Sequence, residues 1–378
     1  MKIALLRQRV TALGGAETTL SYLVRGLAAA GHEVSVYGVE SASTAQAALG
    51  PGATYVRVPV WGGKTLRLLT FALNTRRLLK AAGPQVVFSL ERVPGSQVYR
   101  AGDGCHREFL SRRASYLTPL ARAAQWLTPF HRVMLGVERR LFTSPGLSRV
   151  IANSRQVRDE IIRLYGVDPA RLRVIYNGLD RQRFHPLDPG ATAALRQRLG
   201  APEHGSVILF VGSGFERKGL TYLLQAFGSL RDKASHLWVL GKGHSAPYVR
   251  AAERLGVADR VRFWGPVTET APFYQAATML ALPTLYDPCS NVVLEALACG
   301  LPAVTTAANG AAEFITIGEN GAILARPDEV IVLSQTLANF LAQGRDPQVR
   351  QAAAQAVAGL SWESTVAQTL EVLQEAEA

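Results

Sequence analysis

Two carboxylates, Asp287 and Glu295, stand in the stretch LYDPCSNVVLEALACGLPAVTT, residues 285–306. The spacing predicts a helix from about Ser290 to Cys299, stopped by Gly300 at the C-cap and Pro302 beyond it, then a short β-branched strand over Ala303–Thr306. Ser290 and Asn291 are capping residues, and the open N–H groups of a first helical turn, through Val292, carry the positive end of the helix dipole, so a phosphate can dock there. Both carboxylates can face one ligand; from the stretch alone they read equally well as a turn former and a solvated helix residue. A second cluster, Arg217 and Lys218, falls in GSGFERKG (212–219), between the apolar run Val207–Val211 and Leu220, Leu223, Leu224 and Phe227 at helical spacing. Adjacent cations at a strand-to-helix turn suit a diphosphate; a plain surface pair is the alternative. The stretch is neither G-x-G-x-x-G nor G-x-x-x-x-G-K-[ST], so dinucleotide and P-loop chemistry lack support. Asp103 and His106 follow a strand in VYRAGDGCH (98–106), where open α/β sheets place chemistry, unless the loop is only turn formers. Gly14 and Gly15, between an apolar run and a helical pattern, permit close backbone approach to a ligand or simply make a turn.

Positioning these groups requires strands that end beside them. Short β-patterned runs at residues 3–6, 32–37, 55–60, 86–90, 98–101 and 149–153, then 207–211, 236–243, 261–265, 278–283 and 320–325, alternate with helical patterns, including a basic helix over 66–82. That alternation predicts parallel α/β sheets, and 378 residues predict two domains. A net charge of +12 calls for an anionic partner. The cysteines Cys105, Cys289 and Cys299 are odd in number and lack metal-ligand spacing, which fits a reducing compartment without a disulfide framework. The N-terminus MKIALLRQR is too short in apolar residues for a signal peptide, and no run of about 18 apolar residues offers a membrane span. The expected location is therefore cytoplasmic, peripheral on the inner face of the cell membrane. From Arg107 to Arg140 seven arginines face only Glu108 and Glu138, with aromatic and aliphatic residues between. The segment suits an anionic membrane surface, where each cation contributes roughly 1 kcal/mol; a solvated arginine face on core helices is the equal alternative. Pro119 and Pro129 break it into separate helices.

The acidic residue, seven-residue gap, Glu and A-x-A-C-G-x-P of residues 287–302 resemble the donor-sugar signature of retaining nucleotide-sugar glycosyltransferases of family 4. Asp287 stands where that family normally has Glu. GGAE (14–17), VIYNGLDRQRFHP (174–186) and FERKG (215–219) match the family's other motifs in order. The resemblance implies the GT-B architecture, α/β with two Rossmann-like domains facing a central cleft and a C-terminal helix crossing back to the first. It implies an acceptor-binding domain over 1–186, a nucleotide-sugar-binding domain over 187–360 and a returning helix over 361–378. Donor binding carries over to Gly14, Gly15, Arg217, Lys218, Val267, Asp287, Ser290, Asn291, Val292 and Glu295, and catalytic roles to Asp103, Arg217, Lys218 and Asp287. Within the family, VYRAGDGCH is similar to the lipopolysaccharide-core glucosyltransferases acting on the first inner-core heptose, which assigns the acceptor site to Asp103, then His106. The implied activity is retaining, metal-independent transfer of a hexose, glucose first, from UDP-glucose or a similar UDP-sugar to a lipopolysaccharide-core or related glycolipid. No cofactor is expected beyond that co-substrate, and no metal, since no D-x-D occurs. The alternatives are another nucleotide sugar or acceptor, an epimerase on the same fold, or a basic nucleic-acid-binding protein. The last would cluster basic and aromatic residues without the acidic pair, and no nucleic-acid partner is expected.

Overall fold

The computed structural model describes residues 1–11, 15–50 and 52–377, so Gly14 lies outside the described residues. The chain divides into two compact units, 1–178 with 361–378, and 179–360. In the first, strands β1 (Lys2–Leu6), β2 (Glu33–Gly38), β3 (Ala53–Arg57), β4 (Val86–Ser89), β5 (Val98–Ala101), β6 (Arg149–Ala152) and β7 (Leu172–Val174) form a parallel sheet in the order β3-β2-β1-β4-β5-β6-β7. Ile3 lies between Val34 and Val86 in register, and the central strands are apolar because helices cover both faces of a parallel sheet. β3 stops at Arg57, short of the expected Val60.

In the second unit β8 (Val207–Val211), β9 (His236–Leu240), β10 (Val261–Gly265), β11 (Met279–Leu282), β12 (Ala303–Thr306) and β13 (Gly321–Leu324) run parallel in the order β10-β9-β8-β11-β12-β13. Each sheet reverses its strand order once, between β1 and β4 and between β8 and β11. Ligand crevices of open α/β sheets form outside the carboxyl ends of the strands at such a reversal.

The units meet between Gly178 and Leu179, not after Pro186 as the sequence suggests. Residues 179–186 belong to the second unit because Phe184 packs edge-on against Tyr274 at 5.9 Å, Gln275 Nε2 donates to the His185 carbonyl at 3.0 Å, and Arg183 pairs with Glu269 at 3.3 Å. The terminal helix, Trp362–Glu377, returns to the first unit as expected. Trp362 stacks on Tyr22 with ring centroids 4.5 Å apart, and Val372 and Leu373 join the core around Ile3 and Val86. Gly178 permits this return, since a Cβ there would stand 2.5 Å from the Trp362 backbone. The arginine-rich run forms three helices, His106–Ala114, Pro119–Leu127 and Pro129–Phe142. Pro119 and Pro129 each open a helix, where a missing N–H is harmless. All three cysteines are buried and stand outside any disulfide. Among the described residues no helix is long and apolar enough to cross a membrane.

Candidate active site

In the second unit β8 runs into the loop bearing Arg217 and Lys218, and β11 into the loop bearing Asp287. The loops touch through their backbones. Gly219 has φ +77°, and a Cβ there would lie 1.8 Å from the Pro283 carbonyl oxygen, so only glycine fits. The Leu285 N–H and Thr284 Oγ1 both donate to the Arg217 carbonyl, at 2.8 and 3.0 Å. This contact brings the two charged motifs into one cluster. Lys218 Nζ donates to the Asp287 carboxylate and lies 3.5 Å from Ser290 Oγ. Arg217 Nη1 donates to the Tyr286 carbonyl at 2.8 Å and to Asp287 Oδ2 at 3.4 Å. Burial pushes the Asp287 carboxyl up, but Lys218 and then Arg217 outweigh it and hold the carboxyl below its usual value. Burial likewise works against the Lys218 ammonium, and Asp287 opposes that pull.

Two cations thus meet the Asp287 carboxylate beside the start of the helix Asn291–Ala298. Ser290 is its N-cap, yet its side chain makes no cap bond to the helix; its N–H donates to Asn309 Oδ1 at 3.2 Å. Asn309 Oδ1 also accepts from Ala311 N at 3.1 Å while its amide donates to Thr305 Oγ1 at 3.0 Å, so this one side chain locks the loop after β12 to the helix entry. Asn291 and Val292 occupy the first turn, half-buried. Glu295, further along the helix, accepts from the Tyr274 hydroxyl at 2.8 Å. Burial raises its carboxyl, with the Tyr274 bond and the nearby cations Arg183 and Lys218 opposing. Val267 lies in the loop after β10, which Arg183 anchors by donating to the Thr268 carbonyl at 3.0 Å and pairing with Glu269.

In the first unit a second cluster forms at the strand reversal. Arg7, just beyond β1, places Nη1 3.3 Å from Glu91 and 3.6 Å from Asp103, and Nη2 3.7 Å from Glu17. Burial opposes the Arg7 charge, and the carboxylates of Glu91, Asp103 and Glu17 overcome that and raise its pKa. Asp103 is the open member of the cluster, its side chain 49% exposed against 11% for Arg7. Gly15 begins the helix Gly15–Ala29, and Glu17 sits in its first turn. His106 diverges from Asp103. Its Nε2 lies 3.0 Å from His131 Nδ1 with Phe130 edge-on, and burial lowers its pKa to about 4, so the ring is neutral at physiological pH.

The loop carrying Asp103 is clamped from beneath. Glu138 has no exposed side-chain surface and accepts from Arg92 Nε at 2.9 Å, the His106 N–H at 2.6 Å, the Arg107 N–H at 3.1 Å and the Tyr165 hydroxyl. Arg92 Nη2 in turn donates to the Gly104 carbonyl at 2.6 Å. The sequence reading did not single out Arg7, Glu17, Glu91, Arg92, Tyr274 or Asn309, and it counted Glu138 only as a charge. Position carried a usable signal for two of them, as Arg7 and Glu91 are the first charged residues after apolar strands. Among the described residues no three His, Cys, Asp or Glu side chains are grouped closely enough to hold a metal ion.

Sequence models of two families match the chain, Glycosyltransferase Family 4 over residues 13–183 and Glycosyl transferases group 1 over residues 205–343. The lipopolysaccharide glucosyltransferase WaaG of Escherichia coli is 26% identical over 352 residues, spanning 91% of this chain and 90% of that protein. A D-inositol 3-phosphate glycosyltransferase of Catenulispora acidiphila is 33% identical over 59% of this chain, and the chain spans 55% of that relative's length. The crystal structure of WaaG superimposes with a TM-score of 0.85 at 24% identity, covering 98% of this chain and 99% of that one. Anabaena Alr3699/HepE, solved in complex with UDP and glucose, superimposes with a TM-score of 0.73 at 22% identity over 99% of each chain. The fold is GT-B. With one family domain over most of each unit, the chain belongs to the family 4 and group 1 glycosyltransferases, nucleotide-sugar-dependent hexosyltransferases.

Proposed function

We propose that this chain is a retaining, metal-independent transferase that moves a hexose, glucose first, from a UDP-sugar to a lipopolysaccharide-core or related glycolipid acceptor. It would work at the cytoplasmic face of the cell membrane, with residues 107–140 among its membrane contacts. The observation that carries the reading is the buried Lys218–Asp287 pair, with Arg217, beside the start of the helix Asn291–Ala298. Cleaving a nucleotide sugar puts charge on the departing diphosphate. Two fixed cations and the first-turn N–H groups at Asn291 and Val292 can neutralise it without a metal; losing one such donor typically costs about 100- to 1000-fold in rate. Asp287, kept ionised by its cations, accepts from donor-sugar hydroxyls, and Glu295 accepts from ribose hydroxyls. Retention follows if the acceptor attacks the face the phosphate leaves and that phosphate takes its proton. Asp103, oriented by Arg7, holds the acceptor hydroxyl and forms no covalent intermediate.

The full-length likeness to a lipopolysaccharide glucosyltransferase supports the acceptor class, and the UDP and glucose of the Anabaena complex support the donor. The matches to D-inositol 3-phosphate glycosyltransferases favour a second reading, a phosphorylated polyol acceptor with the same donor chemistry. The nucleic-acid alternative predicts no acidic pair, whereas Asp287 is ion-paired with Lys218 and Glu295 lies on the helix that begins beside them. A thermal-shift panel of UDP, UDP-hexoses and other nucleotide sugars, with and without chelator, tests the reading. UDP and one UDP-hexose should raise the melting temperature equally in both conditions, and the product should keep the donor's anomeric configuration by NMR. No shift from any nucleotide, or dependence on a divalent cation, overturns it.

A further inference from the structure

The helix Lys64–Ala82 is built inside out on its solvent side. It buries Leu68, Phe71, Asn74 and Thr75, and the opposite side carries Leu66, Leu69 and Leu73, which are 57%, 41% and 51% exposed. Those three lie at i, i+3 and i+7, one stripe of a helix. Trp61, 60% exposed, extends the stripe at its head, its N–H donating to Thr70 Oγ1 of the same helix. Solvent-facing stripes of globular helices are polar; this one is leucine for its first turns and then basic, with Arg76, Arg77 and Lys80 exposed. Lys64 and Arg67 are also exposed, and the helix contains no acidic residue. The helix Pro119–Leu127 repeats the pattern on a smaller scale, with Leu120 at 82% and Leu127 at 69% exposure. Both helices pack against Pro129–Phe142.

We propose that Trp61 and the outer face of the helix Lys64–Ala82 are the principal surface by which this protein docks on an anionic lipid bilayer, with the helix Pro119–Leu127 as a lesser contact. The inference rests on the membrane part of the glycolipid reading and moves the main contact out of residues 107–140. The chemistry is that of an interfacial helix: leucines sink to the boundary of headgroups and acyl chains, an indole sits at headgroup level, and the cations meet lipid phosphates. Charge argues against a second copy of the chain, because a two-fold contact through this face would set Arg76, Arg77 and Lys80 against the same three.

Sedimentation with phosphatidylcholine vesicles, with and without phosphatidylglycerol, tests the inference. The wild-type protein should bind the phosphatidylglycerol vesicles, less tightly as salt rises. Leu66→Gln with Leu69→Gln and Leu73→Gln should weaken binding by about tenfold or more, and each of Arg76→Gln and Arg77→Gln by roughly fivefold. Leu120→Gln with Leu127→Gln should cost less than the triple change. All these positions are exposed, so melting temperature and the UDP-induced shift should hold, which separates a docking defect from misfolding. If wild-type protein ignores both vesicles, the membrane part of the functional reading falls and this inference with it. If wild-type protein binds and the triple variant binds equally, the contact lies elsewhere and this inference alone is overturned.

Discussion

Lys218 shows how much one residue's partner decides. A buried ammonium is unfavourable alone, and Asp287 makes it tolerable. Replacing Asp287 by Asn leaves Lys218 buried opposite a neutral amide, so urea denaturation should show a loss of about 3–5 kcal/mol. Adding Lys218→Met should restore much of it, because both charges are then gone; a double variant no better than Asp287→Asn would show that the pair is not coupled. The pH dependence has a definite sign. The folded Asp287 carboxyl titrates below its unfolded value of about 3.9, so its stabilisation is present above that pH and lost as pH falls through the folded value. Wild-type stability should therefore drop more steeply in acid than that of the Asn variant. At this scale the sequence was informative about residue types: Arg217, Lys218, Asp287 and Ser290 were all visible as candidates. It could not show that the carboxylate expected to hold sugar hydroxyls is itself held by two cations.

The Asp103 loop is where elements matter. The strand β5 ends at Ala101, the helix His106–Ala114 begins at once, and the turn between is held by Glu138 from the helix Pro129–Phe142. Glu138→Gln keeps the shape but removes the charge, leaving Arg92 buried without its carboxylate. A stability loss of about 3 kcal/mol is expected, with a fall in turnover as the Asp103 loop loosens. The UDP-induced thermal shift should persist, because Arg217, Lys218, Asp287 and Glu295 lie in the other unit; its loss together with turnover would contradict the assignment. In sequence Glu138 was one of two acids in a run of arginines and looked like a solvated counter-charge. Its four donors come from three separate segments, and no local pattern records such convergence. The helix breaks at Pro119 and Pro129, by contrast, were legible because proline acts through its own backbone.

For the whole molecule, the decisive feature is a chain that leaves its first unit at Gly178 and returns at Ser361. The core around Ile3, Val86 and Leu27 is completed only by Val372 and Leu373 from the end of the chain. Ending the protein at Leu360 should abolish or sharply lower the first unit's unfolding transition in calorimetry, while the second unit's transition remains and still responds to UDP. Trp362→Ala should weaken the first transition alone, by about 3–5 kcal/mol. Equal loss from both transitions would show that the returning helix supports more than its own unit.

The sequence by itself determined the kinds and order of the elements, and which loops carry charged or glycine motifs. Hydrophobic period, caps, prolines and glycines act within a turn or two of where they stand, so the alternation of strands and helices could be read directly. Only the tertiary structure decided which loops meet. Lys218 and Asp287 are 69 residues apart and become partners because β8 and β11 are neighbours at a strand reversal. Arg7 gathers Glu17, Glu91 and Asp103 for the same reason at β1 and β4. The outer leucines of the helix Lys64–Ala82 belong to this second class too. Leucines recur on both of its sides, and only packing fixed which side faces water.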